Sequence, residues 1–130
     1  MLDLRTLIAR TMQTSVRASI ATTAAVAVCG QVEDGNGIAP LNAISHIIWG
    51  ESAARETAAT IDHTLAGVGL NTAAITAWSA VYELRFGRAA RKGEVAAAVV
   101  GGISTAGLAY FTDYYFYCLP SAPLTDALRG

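Results

Sequence analysis

His46 and His63 are the only histidines in the 130-residue chain. With Asp62 or Glu56 they form a set of side chains suited to a transition metal, and two imidazoles alone can ligate a haem. Seventeen residues separate them, which matches no tight metal-ligand spacing. The plainer role for His46 is a hydrogen bond to neighbouring backbone, and for His63 the capping or anchoring of its helix. Cys29 and Cys118 offer a second chemistry. They form a disulfide if both lie near a periplasmic face and meet, or are two buried thiols among small residues. No Gly-rich phosphate loop, Ser-His-Asp order or Cys-pair metal spacing is present, so the expected protein is non-enzymatic and no cofactor is favoured.

Asn71 is the strongly polar side chain in the middle of an apolar stretch. Helical spacing places it on one stripe with His63 and Gly67. A buried amide is costly unless paired, so this stripe is expected to face protein rather than lipid. Further along, Gly93, Ala97, Gly101, Thr105 and Ala109 recur every four residues, a ridge of small side chains that lets helices approach closely. Gly67, Asn71, Ala97, Gly101 and Thr105 are therefore the candidate helix-packing residues, with Asn71 the natural partner of the ridge. An oligomeric channel using the Asn71 stripe is the transport alternative. Around Asp113 cluster Tyr110, Phe111, Tyr114, Tyr115, Phe116 and Tyr117. Tyr110, Tyr114, Tyr115 and Tyr117, together with Trp49, suit an aromatic belt at a membrane interface.

The elements that must carry these residues follow from charge. Thr64 to Tyr82 is nineteen residues without a formal charge, and Val95 to Thr112 another eighteen. Nineteen helical residues reach about 29 Å, close to the hydrocarbon thickness of a bilayer. Between them, Glu83 to Glu94 holds Arg85, Arg88, Arg91 and Lys92. Composition agrees: 53% hydrophobic, 15% charged, and mean hydropathy +0.41. Soluble domains carry about 25% charged residues. The competing possibility is a soluble Ala-rich bundle, since Ala is the best helix former.

The first span is the weakest, with Ala18 to Val32 uncharged and Arg17 able to snorkel, giving a span over roughly 14–32. A basic start before an apolar stretch also fits a signal peptide, but this stretch is poor in Leu. Residues 2–12 have a rough helical period suited to an interfacial helix. The other spans are expected over roughly 58–82 and 94–117. Seven of the nine cations then lie on one side, which places the N-terminus and the Glu83–Glu94 loop in the cytoplasm. That number suits topology and is not a nucleic-acid patch.

Glu33-Asp34-Gly35-Asn36-Gly37 is an acidic turn. After it comes Pro40-Leu41-Asn42-Ala43-Ile44-Ser45-His46-Ile47-Ile48-Trp49-Gly50, with Pro40 suited to a helix start and Gly50 to its end. An interfacial helix over 40–49 is expected, although a re-entrant hairpin is possible. This run resembles an uncharacterised family of small bacterial inner-membrane proteins. There a Pro-(Ile/Leu)-Asn-Ala-x-Ser-His-x-x-Trp-Gly stretch precedes a span ending in aromatic-x-x-x-Tyr-Glu, and the last span ends in Val-Asp-Tyr. The counterparts here are Pro40 to Gly50, then Trp78, Tyr82 and Glu83, then Thr112-Asp113-Tyr114. The resemblance covers Pro40 to Tyr114, and only the PLNAISHIIWG run is specific. The chain departs from the pattern in its single His63, where the family shows paired histidines, and in the tail Pro123-Leu124-Thr125-Asp126, which lacks a basic, Pro-rich ending. The resemblance implies an inner-membrane location, carries over no activity and leaves function open.

The expectation is thus one all-α domain over 1–130, integral to the inner membrane, with three spans and one or two interfacial helices. Its partners are the lipid bilayer and further copies or other membrane subunits, and not nucleic acid. The leading function is an accessory subunit or homo-oligomer packed through small-residue faces. A redox protein using His46 and His63 is the alternative alongside the transport component.

Overall fold

The computed structural model describes residues 3–118, which are all-helical with no strand among them. Helix α1 (Leu4–Asp34) is a single helix of 31 residues. It opens at Asp3, whose carboxylate accepts the Thr6 N–H and the Thr6 hydroxyl, each at 2.8 Å. This satisfies a donor that every helix start leaves open. Those hydrogen bonds, the backbone one first, hold the Asp3 carboxyl below its ordinary value. No Gly or Pro interrupts the chain before Gly30, so the expected interfacial segment and the expected first span form one continuous helix. α1 ends at Gly35, where φ is +69°. The Gln31 side chain clasps this turn, donating to the Gly35 carbonyl at 3.2 Å and accepting from the Gly37 N–H at 3.3 Å.

The expected helix over 40–49 is two short helices, α2 (Ala39–Ile44) and α3 (His46–Trp49). They part at Ser45, whose N–H and hydroxyl both donate to the Asn42 carbonyl, at 2.9 and 2.7 Å. This three-residue closure tightens the turn. A 3₁₀ turn at Ala53–Arg55 and a π-helical turn at Ile61–Leu65 lead into α4 (Ala66–Arg85). Then follow α5 (Gly87–Arg91) and α6 (Val95–Cys118), separated at Gly93 with φ +86°.

Among the described residues, one helix is long and apolar enough to cross a membrane. It is α6, over Val95–Tyr115, with mean hydropathy 1.6 and 6% of that stretch buried within the protein. The other expected spans, 14–32 and 58–82, are largely helical, but α1 and α4 carry Thr, Ser, Asn and charge that keep them below that hydropathy.

The chain gathers into two compact units. The first combines residues 3–16 with 75–118, and the second is residues 17–74. α1 and α4 each contribute to both. Inside the first unit the buried residues are Thr11, Ser15, Ser79, Glu83, Gly87 and Gly101. Inside the second, Asn42, Ser45, Leu41 and Ala53 are buried with Gly30 and Gly67. Leu41 and Ala53 are the only buried hydrophobic side chains among the described residues.

Candidate functional site

The second unit is organised around Asn42, which is completely buried. Its Nδ2 donates to the Glu56 and Ala58 carbonyls at 2.8 and 2.9 Å, and its Oδ1 accepts the Thr64 hydroxyl at 2.6 Å. One side chain thus fixes the returning 56–58 backbone and the π-helical turn to α2. Asn36 performs a similar task one turn earlier. Its Oδ1 accepts the N–H groups of Ile38 and Ala39 at 2.8 and 3.1 Å, and its Nδ2 donates to the Thr57 carbonyl at 2.9 Å. Glycine is required where backbones meet here. A Cβ on Gly67 would collide with the Leu41 carbonyl oxygen, and one on Gly30 with the Pro40 ring.

The signature run therefore has structural employment. Pro40 seats on Gly30, Asn42 ties the loop, Ser45 divides the helices and Gly50 closes α3 with φ +77°. The Trp49 indole N–H donates to the Asp62 carbonyl at 3.1 Å, and its ring lies 6.3 Å from the His63 ring, tilted by 55°. Thr60, not His63, caps this turn: its Oγ1 accepts the His63 N–H at 3.2 Å and lies 3.0 Å from His63 Nδ1. His46 Nδ1 lies 2.7 Å from the Ala43 carbonyl oxygen. Each imidazole has local employment, and the described residues hold no group of three or more His, Cys, Asp or Glu side chains able to hold a metal. Cys29 is an exposed free thiol, and the Cys118 side chain lies outside the described residues.

The first unit is organised around Glu83, which is 3% exposed. The Thr14 hydroxyl donates to its Oε1 at 2.5 Å, and Arg91 Nη2 donates to its Oε2 at 2.6 Å. Gly87 makes room for the carboxylate, since a Cβ there would strike Oε2. A buried carboxylate is tolerable only when paired in this way. Nearby, the Ser15 and Thr76 hydroxyls share a hydrogen bond of 2.5 Å. The turn from α4 to α5 places Phe86 on Gly101, where a Cβ would come within 2.6 Å of the ring.

The residues singled out from sequence fall as follows. Ala97, Gly101, Thr105 and Ala109 are among the less exposed positions of α6, together with Ala98 and Thr112, and Gly101 is buried. Gly67 abuts α2, and the Asn71 amide donates to Thr23 of α1 at 3.5 Å, a long contact. The expected partner of Asn71 was the α6 ridge; the partner the structure gives it is a hydroxyl on α1. Trp49, Tyr110, Tyr114 and Tyr115 are exposed, with the rings of Tyr110 and Tyr114 stacked at 6.4 Å. The side chain of Tyr117 lies outside the described residues.

In the sequence, Arg91 counts among the loop cations and Asn42 and Glu83 belong to the family-like pattern, but none of them, nor Thr14, has an assigned bonding role. Glu83 had a signal of its own, a lone acid followed four residues later by Gly87 and eight later by Arg91. Chemically, Asn42 joins its unit through bonds to backbone carbonyls and Glu83 joins its own through side chains, and no described carboxylate is bonded to the His63 ring. The chain matches no protein-family model, no curated protein and no solved structure.

Proposed function

We propose that the chain is a non-enzymatic integral protein of a bacterial inner membrane. It crosses three times, through α1, the Ile61–Arg85 segment and α6, and serves as an accessory subunit or homo-oligomer. One observation carries this reading: the polarity of the fold is inverted. Thr11, Ser15, Ser19, Asn42, Ser45, Ser79 and Glu83 are buried, while Leu4, Ile8, Met12, Val16 and Ile20 form an exposed i, i+4 stripe along α1. On α6, Val95, Val99, Val100, Ile103, Leu108 and Phe111 are each more than half exposed.

Full burial of such a side chain is worth about 2 kcal/mol, so leaving these six α6 residues in water forgoes on the order of 7 kcal/mol. That is comparable with the whole stability of a small domain. Lipid removes the deficit, because hydrocarbon is as good a solvent for Val and Ile as a protein core. Small polar residues inside and large apolar ones outside are what membrane helices use to associate. Thr11 and Ser19 agree with this, since their buried hydroxyls have no partner among the described residues. They are placed for their size rather than for a hydrogen bond. The cation distribution sets the N-terminus and the Glu83–Glu94 loop on the cytoplasmic side. The resemblance of Pro40–Gly50 to the inner-membrane family supports the same location.

Reporter fusions test the topology. A reporter at Gly130 is expected to read as periplasmic, and one inserted at Lys92 as cytoplasmic. The same compartment at both positions would remove the α6 crossing and contradict the proposal.

A further inference from the structure

In the first unit, the first half of α1, the end of α4, α5 and the start of α6 share one end. Thr14 and Arg91 both bond Glu83, while Ser15 bonds Thr76 two turns earlier on α4. This end is rich in cations, but they are not equivalent. Arg91 is committed to Glu83. Arg85, Arg88 and Lys92 are exposed and make no ion pair among the described residues. They lie within eight residues of one another and end three residues before Val95, where the candidate span begins. Exposed apolar side chains bracket the turn, Leu84 directly before Arg85 and Val95 three residues after Lys92, with the exposed Glu94 as the one acid between them.

Unpaired cations on a short turn, with apolar surface immediately beside them, match the two ends of one molecule: a negatively charged headgroup and its acyl chains. We infer that the α4–α5–α6 turn binds the headgroups of anionic phospholipid, through Arg85, Arg88 and Lys92. The Glu83–Arg91 pair acts in support. It fixes α5 against the end of α4 and commits the Glu83 carboxylate to Arg91, so that Glu83 does not compete for the three remaining cations. This inference rests on the membrane reading and adds a lipid preference that a spanning helix alone does not require. Each cation near an anionic surface strengthens the attraction about fivefold, and salt weakens it.

The test uses the purified full chain mixed with vesicles of phosphatidylcholine alone, or of phosphatidylcholine with phosphatidylglycerol, followed by flotation and measurement of the lipid retained on extraction into neutral detergent. Wild type is expected to float with both vesicle types and to retain phosphatidylglycerol preferentially. Arg88→Gln should weaken that retention about fivefold, and Arg85→Gln/Arg88→Gln/Lys92→Gln should abolish the preference. Arg55→Gln, an exposed cation of the other unit, should leave it unchanged. Equal retention of both lipids by wild type, or an undiminished preference in the triple variant, would overturn the inference while leaving the membrane reading intact. Flotation with neither vesicle would overturn both. Suppression of the preference by millimolar inorganic phosphate would show that a free anion is the true ligand and would also overturn it.

Discussion

Replacing Asn42 with alanine removes three hydrogen bonds at once: two to the Glu56 and Ala58 carbonyls and one from the Thr64 hydroxyl. Each is worth about 1 kcal/mol net, so the expected loss is about 3 kcal/mol. The figure does not rise much higher, because Ala58 is exposed and Glu56 half-buried, and their carbonyls can turn to water. A loss of that size is a large share of a small domain's stability. Asn42→Asp is the sharper companion. It keeps the shape and the acceptor for Thr64, but points a carboxylate oxygen at two carbonyls, so it should be at least as damaging. The assay is denaturant unfolding in detergent followed by tryptophan emission, because Trp49 is bonded to Asp62 in the same unit. A loss below about 1 kcal/mol for Asn42→Ala would refute the claim that this side chain ties the second unit together.

Gly101→Leu should disrupt the first unit, since even a Cβ meets the Phe86 ring, whereas Val99→Leu at an exposed position should be tolerated; gel filtration in detergent compares them. Glu83→Gln should cost about 2 kcal/mol, less than a sealed ion pair, because Arg91 is 38% exposed and can reach water. Ser19→Ala should change stability by less than about 0.5 kcal/mol, as its hydroxyl has no partner among the described residues. The depressed Asp3 carboxyl stabilises the start of α1 above its ordinary titration range. That contribution is lost as pH falls through the lowered folded-state value, so amide exchange in the first turn should quicken in acid, and Asp3→Asn should weaken the dependence.

What could be seen in advance was set by charge and by side-chain size. The uncharged run from Val95 gives α6, whose limits fall within a residue of the expected 94–117, because Gly93 and the basic turn punctuate it. The four-residue ridge of α6 was visible for the same reason, since Gly and Ala repeat without interruption. The division of residues 40–49 was not visible. It depends on Ser45 directing both its donors to one carbonyl, and a serine in that place is equally compatible with an unbroken helix. The length of α1 was missed because three arginines suggested an interfacial segment, although nothing in the sequence stops the helix between them. The partners of Asn42 lie 14 to 22 residues away and the Thr14 partner of Glu83 lies 69 away, which no local pattern reveals; only Gly87 and Arg91 are local to Glu83. His46 and His63 drew attention through their chemistry, yet each ring has a partner within three residues.

The central claim is that hydrocarbon, not water, covers the apolar faces of α1 and α6. Alkaline carbonate washing of membranes from cells making the full chain tests it most directly. The account predicts that the protein stays with the pelleted bilayer and leaves it only in detergent; recovery in the carbonate supernatant, free of lipid, would contradict it.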